Sequence, residues 1–397
     1  MSIDRATSIE DLRQRARRRL PRAVFDFFDG GAEDESTLAD NRAAFSRVKL
    51  LPKVLVDVSH IDTAIDLFGY RSSMPIVTAP TGGVGFGWRG GDACIARAAA
   101  AAGIPYTLSS SATSSIERIA NEAPGHHWFQ CYVLNRREFT FRMIDRARNA
   151  GYSALMITVD LPVGGKRERD YRNDFTIPFR YTSRNVLDFA SKPLWALDML
   201  LRGVPGLESL ADLEAFEAFE AAAPPTSVQS SSIGRFYSPS FDWDALQGIR
   251  DAWKGPLIVK GIVRADDALR AKAIGVDGIV VSNHGGRQLD DGIATLDALP
   301  AVAAAVGDSV TVMIDGGVRR GRDVVKALAL GAKAVLTGRA TLFGACAGGE
   351  AGAQRAIEIL REELIRTMQL CGVTSVPDIG ADLVMVGHPD GHQLIAS

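Results

Sequence analysis

Short, nearly continuous apolar runs recur along the chain, and most end in a polar cluster. PIVTAP (75–80), YTLSS (106–110), HWFQCYV (127–133) and ALMITVD (154–160) read as strands. LIVKGI (257–262), GIVVSNH (278–284), TVMIDGG (311–317) and AVLTGR (334–339) follow. Runs without polar alternation predict strands buried on both faces, the mark of a parallel sheet covered by helices. Several are introduced by one phrase, an Ala-rich helix end, a glycine and then the strand, as in RAAAAAGIPYTL and KALALGAKAVLT. The glycine stops the helix in the left-handed conformation. Eight strand–helix units predict an α/β fold, a closed (β/α)8 TIM barrel. A doubly wound open sheet is the alternative, but it more often shows fewer strands and a glycine fingerprint after the first.

The spacing breaks once, after the fourth strand, where an insertion spans about residues 161–256. Connections this long usually carry function. Within it, NVLDFASKPLWALDMLLRGVPGL (185–207) is apolar and punctuated by Lys192 and Arg202. Such a stretch suits a membrane interface without spanning it, or packing against the barrel or a neighbouring subunit. The later AAAPPTSVQSSS (221–232) is poor in large apolar groups and is expected to be flexible. Residues 1–74 are expected to cover the barrel bottom or pack beside its rim.

Charge narrows the classes. With 45 basic against 47 acidic residues, bulk attraction to nucleic acid is not expected. The basic run RQRARRR (13–19) falls on an amphipathic helix, opened by a capping box from Ser8 and Asp11. The four cysteines, Cys94, Cys131, Cys346 and Cys371, form no CxxC pair, so no zinc site or disulfide framework is expected. Without a secretory h-region or a run of about 18 uncharged apolar residues, the expected location is cytoplasmic.

In such a barrel the strand ends line the active site. Reading them in order gives Thr81 with Gly82, Ser109, Gln130 with Tyr132, Thr158 with Asp160, and Lys260. Ser282 with His284, Asp315 with Gly316 and Gly317, and Gly338 with Arg339 complete the set. The last two loops, DGGVRRG (315–321) and TGR (337–339), combine glycines with Arg319 and Arg339 and suit a phosphate. His284 alone reads as a structural histidine. Beside Arg287, Lys260 and Asp160 on neighbouring strand ends, it reads as a proton acceptor. Arg287 and Arg167 together suit a substrate carboxylate.

These motifs resemble the FMN-dependent α-hydroxy-acid oxidases and dehydrogenases. SNHGGRQLD (282–290) is close to that family's active-site signature, and FDGGAEDE (28–35), WFQCYV (128–133), TVD (158–160), VKGI (259–262) and DGGVRRGRDVVKALALGA (315–332) match in order. The resemblance runs from about residue 8 to 372. Within the family, the chain is most similar to mandelate dehydrogenases and membrane-associated L-lactate dehydrogenases. It implies one FMN-binding barrel over residues 1–397, usually assembled as a homotetramer, that oxidises an L-(S)-2-hydroxy acid to the 2-oxo acid. Electrons would pass to a membrane quinone or another carrier, and a peripheral position on the inner face of the cell membrane would follow.

The resemblance also implies roles. His284 would be the base, Asp160 would stabilise its imidazolium, and Arg167, Arg287 and Tyr132 would hold the substrate carboxylate. Lys260 would sit near flavin N1. Ser109, Gln130 and Thr158 would bond the isoalloxazine edge with the backbone near Thr81, and Ser282 would belong to the cofactor site. Asp315, Gly317, Arg319, Gly338 and Arg339 would hold the ribityl phosphate, and no metal is needed. Three departures bear on substrate and acceptor. Phe27 stands where much of the family has tyrosine, and Ser111 where short-chain glycolate oxidases tend to have tryptophan; both point to mandelate-like acids. Gly82 stands where oxidase members often have alanine, which implies slow reaction with oxygen. An NAD-linked phosphate-binding barrel would need a catalytic cysteine loop, and a non-catalytic flavin protein would lose the His, Arg or Lys. A 2-amino acid or peptide-linked substrate is a further reading raised by Phe27.

Overall fold

A computed structural model describes residues 3–177, 179–210, 237–388 and 391–394. Three helices come first, α1 (Ile9–Arg19), α2 (Arg22–Asp29) and α3 (Ser36–Arg47). The capping box expected at α1 is present, with Ser8 Oγ accepting from Asp11 N and the Asp11 carboxylate accepting from Ser8 N. Strand β1 (Val48–Leu50) and the antiparallel ribbon β2 (Ile65–Leu67) and β3 (Tyr70–Ser72) follow.

Eight parallel strands then close into a barrel in chain order. They are β4 (Ile76–Thr78), β5 (Tyr106–Ser109), β6 (His127–Tyr132), β7 (Ala154–Thr158), β8 (Leu257–Ile262), β9 (Gly278–Val281), β10 (Thr311–Ile314) and β11 (Ala334–Thr337). Pairing of β11 with β4 completes the ring. The strands are almost wholly buried, as continuous apolar runs require when helices cover the outside and side chains fill the inside. The TIM barrel expected from the strand count is the fold observed.

Several observed strands stop short of the apolar-polar runs that predicted them. β9 ends at Val281 and β10 at Ile314, whereas the runs extend to His284 and Gly317. The ladder ends where the chain turns into left-handed glycines, Gly285 (φ +62°) and Gly316 (φ +87°), and leads the site residues over the barrel mouth.

The N-terminal segment reaches both ends of the barrel, where bottom and rim were expected as alternatives. At the turn between β2 and β3, Phe68 closes the barrel bottom, its ring centroid 5.6 Å from that of Trp128. A Cβ on Gly278 would come within 2.8 Å of that ring, so glycine permits the close approach. At the opposite end, Phe27 and Phe28 of α2 enter the mouth. The chain finishes with a 33-residue helix, Arg339–Cys371, bent at Gly348 and Gly349, and strands β12 (Val384–His388) and β13 (Gly391–Leu394), with β12 pairing with β1.

Among the helices of the insertion between β7 and β8 are Ser183–Ala190 and Pro193–Arg202. The expected flexible stretch 221–232 lies outside the described residues. The second helix buries Trp195 and Met199, one turn apart, and Trp195 donates from Nε1 to Phe86 O at 2.7 Å. Its other face leaves Leu194 (85%), Leu197, Leu200 (80%) and Leu201 open, an apolar stripe facing solvent. Among the described residues no helix is long and apolar enough to cross a membrane.

Candidate active site

One cavity at the C-terminal mouth gathers most of the residues read from the strand ends. Its wall includes Phe27, Thr81, Gly82, Ser111, Tyr132, Thr158, Arg167 and Lys260. His284, Arg287, Asp315, Gly317, Arg319, Gly338 and Arg339 complete the predicted part of it. Asp160, Ser109, Gln130 and Ser282 stand one bond behind. Ser109 Oγ donates to Gln130 Oε1 at 3.0 Å, and Gln130 Nε2 donates to Thr158 Oγ1 at 2.9 Å. That chain ties the ends of β5, β6 and β7 together.

His284 sits at φ +57°, a conformation that a non-glycine residue rarely holds unless its surroundings enforce it. Two contacts do so. Its backbone N–H donates to Ser282 Oγ at 3.1 Å, and its ring Nδ1 lies 2.9 Å from Asp160 Oδ1. A carboxylate against Nδ1 fixes the proton on that nitrogen and leaves Nε2 unprotonated, an acceptor. Tyr132 Oη is 3.4 Å from that Nε2. Burial pushes the imidazole below its ordinary pKa of 6.5; Asp160 opposes this, while Lys260 and Arg287 add to it. Burial would raise the Asp160 carboxyl, but His284 and Lys260 hold it below the usual range. Glycine at 261 makes room for this arrangement, because a Cβ there would come within 2.7 Å of Asp160 Cβ.

Lys260 is the second anchor. Its Nζ lies 3.0 Å from Asp315 Oδ2 and donates to Ser282 Oγ at 2.9 Å, so one ammonium joins β8, β9 and β10. Burial works against its charge, but Asp315 and Asp160 more than offset it and keep the ammonium protonated. Asp315 Oδ1 and Asp160 Oδ2 are buried without a partner among the described residues, and of the two residues Asp315 lines the cavity.

The arginines split into two groups. Arg287 Nη1 donates to Phe27 O and Gly30 O, both at 2.9 Å, and Arg167 Nε donates to Asp170 Oδ2 at 2.7 Å. Both guanidiniums lie 5.5 Å from the Phe27 ring centroid. Arg287 forms no ion pair among the described residues, and burial, followed by Arg167 and Arg339, lowers its pKa to about 9. Arg319 and Arg339, across the mouth, are likewise lowered to about 10, chiefly by burial and also by like charges. Neither has a carboxylate partner within ion-pair distance among the described residues. Buried, mutually repelling cations next to left-handed glycines 316 and 317 make a cradle that calls for an anion.

Sequence reading missed one wall. Leu161, Gly164, Ile177, Leu207 and Tyr237 come from the insertion, and Gln288 and Leu342 from elsewhere. The insertion residues give that side an apolar surface. Behind Phe27, rings run outward through Phe175 (4.7 Å), Phe179 (5.3 Å) and Phe189 (5.7 Å) to Trp195 (5.1 Å). No spacing rule reports such contacts, because they depend on how a long insertion folds back.

A model of the FMN-dependent dehydrogenase family matches residues 16–386. The chain is 41% identical over 375 residues to an (S)-mandelate dehydrogenase of Pseudomonas putida, covering 94% of this chain and 93% of that one. It is 42% identical over 386 residues to an L-lactate dehydrogenase of Caulobacter vibrioides, covering 95% and 97%. The crystal structure of an (S)-mandelate dehydrogenase described as a monotopic membrane protein superposes with a TM-score of 0.90 at 41% identity, covering 96% of this chain and 100% of that one.

Proposed function

The chain belongs to the FMN-dependent dehydrogenase family, and from that premise we propose that it oxidises an aromatic (S)-2-hydroxy acid of the mandelate type to the 2-oxo acid. The observation that carries this reading is the His284–Asp160 pair, whose unprotonated ring nitrogen shares a cavity with two guanidiniums. L-lactate is the second reading, favoured by the Caulobacter relative.

The residues fit the cofactor. Arg319 and Arg339, with the backbone at Gly316, Gly317 and Gly338, suit the phosphate of FMN. Asp315 Oδ1 is an unpartnered buried acceptor for its ribityl hydroxyls. Ser109, Gln130 and Thr158, with the backbone at Thr81 and Gly82, suit the polar edge of the ring system, and Lys260, bonded to Ser282, suits the edge that gains negative charge. FMN, once bound, supplies the two-electron acceptor for the substrate's C–H bond.

The protein's part is binding and proton transfer. Arg167 and Arg287 hold the carboxylate, with Tyr132 beside them and the Phe27 ring 5.5 Å from each guanidinium. His284 Nε2 accepts the proton of the 2-hydroxyl as C2 becomes a carbonyl carbon. Asp160 stabilises the imidazolium that results, an ion pair formed in a dry site where it is worth most. Ser111 and the insertion's Leu161, Ile177 and Leu207 leave an apolar recess suited to a phenyl group.

The exposed leucines of Pro193–Arg202, with Arg180, Arg184, Lys192 and Arg202 near them, support peripheral docking on an anionic membrane face. Electrons then pass to a quinone or a similar carrier rather than rapidly to oxygen, the chain acts as one FMN-binding unit, and copies assemble as a tetramer. Turnover with an artificial dye acceptor tests the core reading: the (S) acid yields the 2-oxo acid and the (R) acid does not. Equal turnover of both hands would overturn it.

A further inference from the structure

Tyr237 comes into the cavity from the insertion and is held there by the barrel. Ser238 N donates to Val133 O at 3.0 Å, and Tyr237 bridges to Leu134, so its backbone is tied to the residues just past β6. The same strand end carries Tyr132. The two rings face each other across 5.0 Å at 44°. Tyr132 has a partner, the Nε2 of His284. The Tyr237 hydroxyl has none among the described residues.

A half-buried phenol without a protein partner at the wall of the cavity is a donor open to a ligand. Burial raises its pKa well above the usual value, Tyr132 adds to that, and Arg167 and Arg287 oppose it, so the group stays a neutral O–H throughout the working range. The cavity wall it shares with Arg167 and Arg287 identifies the missing partner. A donor gains nothing from two nearby cations, which also repel each other. An anion between the three satisfies all of them. A carboxylate has about four lone-pair sites, enough for two guanidiniums and a phenol at once.

We propose that Tyr237 donates a hydrogen bond to the substrate carboxylate, alongside Arg167 and Arg287, and is a substrate-binding residue of this pocket. The proposal rests on the reading above for where the carboxylate lies, but its test needs no turnover. Oxidised, FMN-loaded protein is titrated with phenylglyoxylate and, separately, with the uncharged phenylglyoxylamide, following the change in flavin absorbance. Tyr237→Phe removes one oxygen that no described group bonds, and FMN content and Tm check that the fold is kept.

The expected result is a Kd for phenylglyoxylate raised roughly tenfold or more, as for a bond to a charged group, with the amide unchanged. An unaltered Kd for the carboxylate overturns the proposal. So does an equal loss for both ligands, which would make Tyr237 a packing residue. Failure of the wild type to oxidise any 2-hydroxy acid would instead sink the functional reading and leave this titration standing.

Discussion

His284 Nδ1 lies 2.9 Å from Asp160 Oδ1, a bond between the ends of strands that are not neighbours in the sheet, β9 and β7. It fixes the tautomer, orients the ring and supplies the counter-charge that a protonated His284 needs.

Asp160→Asn is therefore expected to lower kcat by on the order of 10²–10⁴, through a misdirected tautomer and a lost counter-charge. The pH profile gives a second readout. His284 must be neutral to take a proton, so kcat/KM rises with pH through its pKa. Burial holds that pKa below 6.5, which places the acid limb below pH 6.5. Asp160 raises the His284 pKa, so its removal moves the limb to still lower pH as the plateau falls. A limb that moves upward would contradict this assignment.

Much of this architecture is legible in the amino-acid sequence. The eight apolar runs locate all eight barrel strands, because strands buried on both faces must be apolar. The strand-end rule then locates Lys260, His284, Asp315 and Arg339, because a barrel offers one mouth. The insertion is not legible in the same way. Tyr237, Ile177 and Leu207 reach the pocket only through tertiary folding, and Phe175, like Leu207, carries no sequence mark of being near the site. The pairing of β1 with β12 is also hidden, since it joins segments more than 300 residues apart.

The recess beside Ser111 makes a size prediction. Ser111 lines the pocket and is itself tightly seated, because a Cβ on Gly82 would come within 3.2 Å of its Cβ and carbonyl oxygen. Ser111→Trp fills the recess, and kcat/KM for (S)-mandelate should fall at least about tenfold relative to that for L-lactate. Equal losses for the two acids would place the phenyl group elsewhere.

The leucine stripe on Pro193–Arg202 predicts a separable membrane function. Replacing Leu194, Leu197, Leu200 and Leu201 by serine removes apolar area that already faces solvent, so the fold and dye-linked turnover should persist. Co-sedimentation with vesicles containing anionic lipid should be lost. Unchanged sedimentation would assign the stripe to another contact.

The most direct test of the central claim is anaerobic mixing of FMN-loaded protein with (S)-mandelate and, separately, with L-lactate, while the flavin absorbance near its visible maximum is followed. The account predicts rapid bleaching by mandelate and slower bleaching by lactate. Faster bleaching by lactate would keep the His284 chemistry and discard the aromatic pocket. A yellow protein that neither acid bleaches would contradict the account.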